Sequence, residues 1–228
     1  MSKYGTYTPS NKKSYSKPIS DYGIFITFEG IDGTGKSLQS KTLHDSLERF
    51  GISSILTKEP YGDQYRKFLL EGSPEKMTPL SEALLFLSAR AQHYTTVIKP
   101  ALNSGICVVC DRFQDSCEIY QGNGKGVSIE LLNYVYEAIT ESQKPNRTYL
   151  IDLDPKEALE RSIARLGNKE TRQEKLPLEF FERARENFLN LANKEKRFLI
   201  VDGSQDPKKI SETIKKDIIT FLKQKFSV

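Results

Sequence analysis

Only three cysteines and two histidines occur among the 228 residues. Cys107 and Cys110 fall in an apolar run, Cys117 stands apart, and there is neither a second CxxC pair nor a histidine cluster. That argues against a zinc site, and the three residues read as reduced thiols. No apolar run approaches the roughly 20 residues that cross a bilayer, so no membrane span is expected. An excess of one charge is also missing. Lys and Arg number 34 against 30 Asp and Glu, a formal charge of +4, which suits small anionic ligands but is too little for a nucleic-acid-binding stripe. Residues 1–22, rich in Ser, Tyr, Lys and Thr, lack the apolar core of a signal peptide and the arginines of a transit peptide. They read as a disordered polar tail, and the expected location is the cytoplasm.

Residues 23–228 read as one α/β domain. Short β-rich runs at Ile24–Phe28, Ser53–Thr57, Ile106–Cys110, Thr148–Leu153 and Phe198–Val201 alternate with amphipathic helical patterns, the order expected of a five-stranded parallel sheet with helices on both faces. Thr78-Pro79, Asp154-Pro155 and Asp206-Pro207 each set a capping side chain before a proline suited to a first helical turn. Near the C-terminus Ile210, Ile214, Ile218, Phe221 and Leu222 recur at helical spacing, so the surrounding lysines form a solvated face. The charge-dense stretch Gly167–Lys175 reads as a mobile loop.

The sharpest local signal is Gly30-Ile31-Asp32-Gly33-Thr34-Gly35-Lys36-Ser37, a GxxxxGK[ST] phosphate loop between the first strand and a helical pattern at Leu38, Leu43 and Leu47. Its glycines let backbone N–H groups turn toward phosphate oxygens at a helix N-terminus. Gly30 to Ser37 therefore bind ATP, with Lys36 on the β- and γ-phosphates and Ser37 on Mg²⁺. Such a loop leaves GTPases, motors and small-molecule kinases open. Asn168-Lys169-Glu170-Thr171 and Asn193-Lys194-Glu195-Lys196 both lack the final aspartate of a guanine-reading NKxD element, which favours a small kinase.

Further motifs then appear in order: Thr57-Lys58-Glu59-Pro60-Tyr61-Gly62, Leu85-Phe86-Leu87-Ser88-Ala89-Arg90, and Asp111-Arg112 followed by Ser116 and Tyr120-Gln121-Gly122. From Ile24 onward the chain resembles the bacterial thymidylate kinases, with their TREPGG, thymine-holding helix and DR…S…YQG patterns. Arg161, Arg165 and Arg172 fall where that family carries a basic lid, here about 165–176. The resemblance implies a three-layer P-loop kinase fold, transfer of the γ-phosphoryl of Mg-ATP to dTMP, and a homodimer formed through helices.

Phe86 and Arg90, four apart, share a helix face, so a ring can stack on a base while a guanidinium donates to its carbonyl; without the resemblance, core packing is the commoner use of such a ring. Asp111, at the carboxyl end of a strand, suits the magnesium shell. Arg112 and Arg66 suit an acceptor phosphate. The resemblance adds Asp32 at the sugar 3′-hydroxyl and Tyr120 as a gate against a ribose 2′-hydroxyl, with a buried, satisfied tyrosine as the alternative. Glu59, Pro60, Ser116, Cys117 and Gln121 complete the acceptor set. Arg161 and Arg172 join the ATP set. No basic residue occupies Ile31 to Thr34, so the positive charge that assists transfer comes from Arg165, acting with Lys36 and Arg112. The chain departs from the family at Lys58, Tyr61, Cys117 and Thr171. A deoxynucleoside kinase or a non-catalytic nucleotide-binding module are the rival readings.

Overall fold

The computed structural model describes residues 22–71, 77–166 and 176–226. Most of the expected tail and the stretch Gly167–Lys175, with Thr171 and Arg172, lie outside the described residues. Among those described, five strands form one parallel sheet in the order β2-β3-β1-β4-β5. They are β1 Phe25–Glu29, β2 Ser54–Lys58, β3 Cys107–Asp111, β4 Arg147–Asp152 and β5 Phe198–Asp202. Every residue of β1 and β3 is buried, whereas the edge strands β2 and β5 keep partly exposed positions. That is the pattern of a parallel sheet covered on both faces.

One face is covered by α1 (Lys36–Arg49) and α9 (Pro207–Phe226), whose Leu43, Leu47, Ile210, Ile214, Ile218 and Leu222 pack against Ile26, Tyr149 and Val201. Each such aliphatic side chain contributes roughly 1.5–3 kcal/mol by leaving water. The other face carries α8 (Leu178–Lys194), α4 (Lys99–Asn103), and α3 (Pro79–His93) packed on α6 (Ile129–Thr140). α7 (Pro155–Leu166) follows β4, while the short helices α2 (Asp63–Arg66) and α5 (Gln114–Cys117) follow β2 and β3. All three expected caps form. Thr78 accepts from Ser81 N, Asp154 from Lys156 N and Glu157 N, and Asp206 from Lys208 N.

All five strands differ from the sequence reading, by one residue at one or both ends. β1 runs on to Glu29 because that carboxylate finds buried donors, and β4 starts at Arg147, whose guanidinium pairs with Asp217 of α9. The chain steps from β1 outward to β2, returns to β3, then crosses to β4 on the opposite side. The carboxyl ends of β1 and β3 therefore flank the crevice where such sheets bind ligands.

Candidate functional site

The loop between β1 and α1 is wound on left-handed glycines. Gly35 takes φ 97° at the start of α1, where no side chain caps the helix, so its N-terminus faces the crevice as an anion site. Gly33, at φ 85°, lies against α7 so closely that a Cβ there would sit 1.8 Å from the Ala158 carbonyl oxygen. Lys36 folds back on the loop, its Nζ donating to Ile31 O at 2.5 Å and to Thr34 Oγ1 at 3.4 Å. Burial, then the neighbouring Arg112, pushes this ammonium down to about 8. Ser37 Oγ donates to Asp111 Oδ2 across the strand ends.

Arg112 stands beside this loop with φ 72°, a left-handed conformation that costs a non-glycine residue roughly 1–2 kcal/mol and tends to gather at functional sites. Its Nη1 donates to Gly30 O at 2.9 Å and Ser116 Oγ at 2.8 Å, and its Nη2 to Asp32 Oδ1 at 2.7 Å. Burial alone would raise the Asp32 carboxyl, but Arg112 and Lys36 outweigh it and hold it below the usual range. Tyr120 reaches the other Asp32 oxygen at 3.4 Å while its ring packs on Phe180 and Phe188.

A cavity of about 950 Å³ unites these groups with Phe86, Arg90, Glu59, Pro60, Arg66, Cys117 and Gln121. Arg90 is only 2% exposed. Its Nε and Nη2 donate to Glu59 Oε2 at 2.8 and 2.6 Å, Nη1 to Gln114 Oε1 at 2.6 Å, and Nη2 also to Phe113 O at 3.1 Å. Four of the five guanidinium N–H groups are thus engaged within the protein. Cys117 is a further hydrogen-bond partner of the guanidinium, so Arg90 is a structural ion first, and a ligand gains a bond from it in exchange for Cys117. Glu59 lies below the usual carboxylate range because Arg90, then His93, overcome its burial. Among the described residues, removing Arg90 leaves that buried carboxylate with His93, at 3.2 Å. Arg90→Ala is expected to lower stability by about 3–5 kcal/mol, as for a broken buried pair. Urea denaturation measures this, and a loss below about 1 kcal/mol would show that the pair is not structural.

Other expected residues keep identifiable partners. Arg66 donates to Pro60 O at 3.2 Å. The Gln121 amide donates to Glu82 at 3.0 Å, and Lys125 holds the same Glu82 oxygen at 2.6 Å. Cys117 is buried, which pushes its thiol upward against the pull of Arg90. Arg161 donates to Gly203 O at 2.9 Å and to Glu157 at 2.6 Å, and Arg165 in the last turn of α7 also lines the cavity. Tyr61, where the resembled pattern has glycine, is absent from the lining; its ring stacks on His93 with centroids 4.5 Å apart. Sequence reasoning missed Glu29, His93, and the lining residues Lys58, Gly203, Gln205 and Pro207. Gly203 and Gln205 belong to an ordinary polar turn before α9 and Pro207 opens that helix, with nothing there to signal a ligand.

Comparison with known proteins agrees with this geometry. A family model described as thymidylate kinase matches residues 28–214. A thymidylate kinase of Pelobacter propionicus is 43% identical over 201 residues, covering 84% of this chain and 92% of that protein. One of Geotalea daltonii is 44% identical over 191 residues, 79% of this chain and 89% of that protein. Among solved structures, thymidylate kinase from Ehrlichia chaffeensis matches with a TM-score of 0.69 and 30% identity, over 86% of this chain and 98% of that one.

Proposed function

The chain belongs to the thymidylate kinase family, and from that premise we propose how its residues phosphorylate dTMP to dTDP with ATP. The carrying observation is that Arg112, which lines the cavity together with Ser116 and Asp32 to Ser37, bonds both Gly30 of the phosphate loop and Ser116 of the acceptor segment. Donor and acceptor phosphates bound there are held in line, and positioning with charge neutralisation is what this reaction needs.

Lys36 leaves the Ile31 carbonyl to meet the β- and γ-phosphates, cradled by the loop from Gly30 to Ser37. Ser37 and Asp111 offer a hydroxyl and a carboxylate that already touch, a hard-oxygen set that fits Mg²⁺ completed by phosphate oxygens and water. Bound there, the ion neutralises charge on the β- and γ-oxygens. Arg112 exchanges the Asp32 carboxylate for the dTMP phosphate, with Arg66 beside it, and Asp32 becomes free to accept from the sugar 3′-hydroxyl. The acceptor oxygen is already ionised, so no strong general base and no covalent enzyme intermediate are required. Arg165 neutralises the γ-phosphoryl in the transition state, with Arg161 and Arg172 on ATP, as part of a lid about 165–176 on a single catalytic domain of residues 23–228. At the far end Phe86 stacks on thymine, Arg90, Cys117 and Gln121 meet its edge, and Tyr120 occludes a 2′-hydroxyl.

A coupled ADP-release assay over dTMP, dUMP, UMP, CMP, AMP, GMP and thymidine tests this reading. dTMP should give the highest kcat/KM, and thymidine, which offers Arg66 and Arg112 no phosphate, should be inert. Thymidine turnover matching that of dTMP would refute the phosphate clamp.

Among the described residues no helix is long and apolar enough to cross a membrane, and the proposed location is the cytoplasm, to be checked by fractionation. The proposed assembly is a homodimer. Leu80 and Leu84 of α3 and Leu131 and Tyr134 of α6 are exposed on two helices that pack together, an apolar face suited to a second copy. Light scattering at the mass of one chain would refute it.

A further inference from the structure

Glu29 lies between the two halves of the site and belongs to neither residue set above. It ends β1 one residue before Gly30, and it is 0% exposed. Phe113 N donates to its Oε1 at 2.7 Å and Ser116 Oγ to its Oε2 at 2.5 Å. Both donors come from the segment after β3. Ser116 Oγ accepts in turn from Arg112 Nη1, and that nitrogen also donates to Gly30 O, the carbonyl next in the chain to Glu29. The bonds close a ring: Glu29 to Ser116, Ser116 to Arg112, Arg112 to Gly30, and Gly30 back to Glu29 through the backbone.

The ring has a polarity that only a carboxylate sets. An ionised carboxylate accepts and never donates, so the Ser116 proton must point at Glu29 and its lone pair at the Arg112 guanidinium. An amide in place of the carboxylate could instead donate to Ser116, turning the hydroxyl proton toward a cation. Packing gives no reason for an acid here, since β1 otherwise contributes Phe25, Ile26, Thr27 and Phe28 to the interior and an uncharged side chain would avoid the cost of burying charge. Burial, then the nearby Asp115, raises the Glu29 carboxyl to about 7, with Arg112 opposing, so this polarity belongs to the ionised form.

We propose that Glu29 is a positioning residue for phosphoryl transfer: it orients the Ser116 hydroxyl and the Phe113 N–H so that Arg112 holds the acceptor phosphate at a fixed distance from the phosphate loop. This rests on the reading of Arg112 as the acceptor clamp. The segment has an anchor independent of Glu29, because the Asp115 carboxylate is gripped by Arg197 Nη2 and Nη1 at 2.6 and 2.9 Å. Loss of Glu29 should therefore disturb the aim of Arg112 without unfolding the segment.

The test uses the full chain, with Glu29→Gln, Ser116→Ala and the double variant compared by steady-state kinetics on dTMP and by ATP titration. Glu29→Gln is expected to lower kcat/KM for dTMP by about 10²-fold, the order associated with a misplaced reacting group, while the Kd for ATP stays within about twofold. In the Ser116→Ala background the same change should cost little more, since residues acting through one path are not additive. Wild-type-like turnover of Glu29→Gln, equal losses for ATP and dTMP, or fully additive losses in the double variant would each overturn the proposal. A wild-type protein inactive on dTMP would instead refute the reading on which it rests.

Discussion

Lys36→Ala is expected to remove phosphoryl transfer in the coupled assay, with kcat falling by at least about 10³-fold, the upper range for deleting one preorganised charge-stabilising group. The fold should survive. The ammonium donates to the Ile31 carbonyl and Thr34 hydroxyl of its own loop, and alanine is a good helix former for the start of α1. Removing a buried cation that burial already pushes down to about 8 removes a desolvation penalty along with its attraction to Asp32, so the melting temperature should change little. Near-normal turnover would overturn the donor-site assignment. Inactivity with a collapsed melting temperature would mean that Lys36 supports the loop.

Arg165→Ala should lower kcat by about 10²-fold or more while raising KM for ATP and dTMP far less, the signature of an interaction made only in the transition state. The argument is one of charge supply. Ile31, Asp32, Gly33 and Thr34 contain no base, and Arg165 lines the same cavity near enough to Asp32 to help lower its carboxyl. Steady-state kinetics with unchanged kcat and a raised KM for ATP would reduce Arg165 to a binding contact and direct attention to Arg161 and Arg172.

Features that are local in sequence were legible. The phosphate loop is contiguous, and the caps at Thr78, Asp154 and Asp206 depend on residues two or three positions away. The parallel sheet followed from alternation of apolar runs with helical patterns. What escaped depends on distant pairing. The i, i+4 spacing set Phe86 and Arg90 on one face, but nothing in α3 reveals that Glu59 reaches over from the end of β2 to take two bonds from Arg90. Glu29 looked like an unremarkable acid beside a motif, because its partners Phe113 and Ser116 lie 84 and 87 residues away. The left-handed turn at Arg112 was equally hidden, since arginine has no preference for it.

The packing of the phosphate loop also limits how this enzyme can change over generations. Ile31 and Thr34 are buried, and any side chain at Gly33 would collide with the Ala158 carbonyl. On the role proposed for Arg165, moving the assisting cation from α7 to position 33 of the loop would require α7 to be pushed outward. Even a double variant that adds arginine at 33 to an Arg165→Ala background starts from that collision.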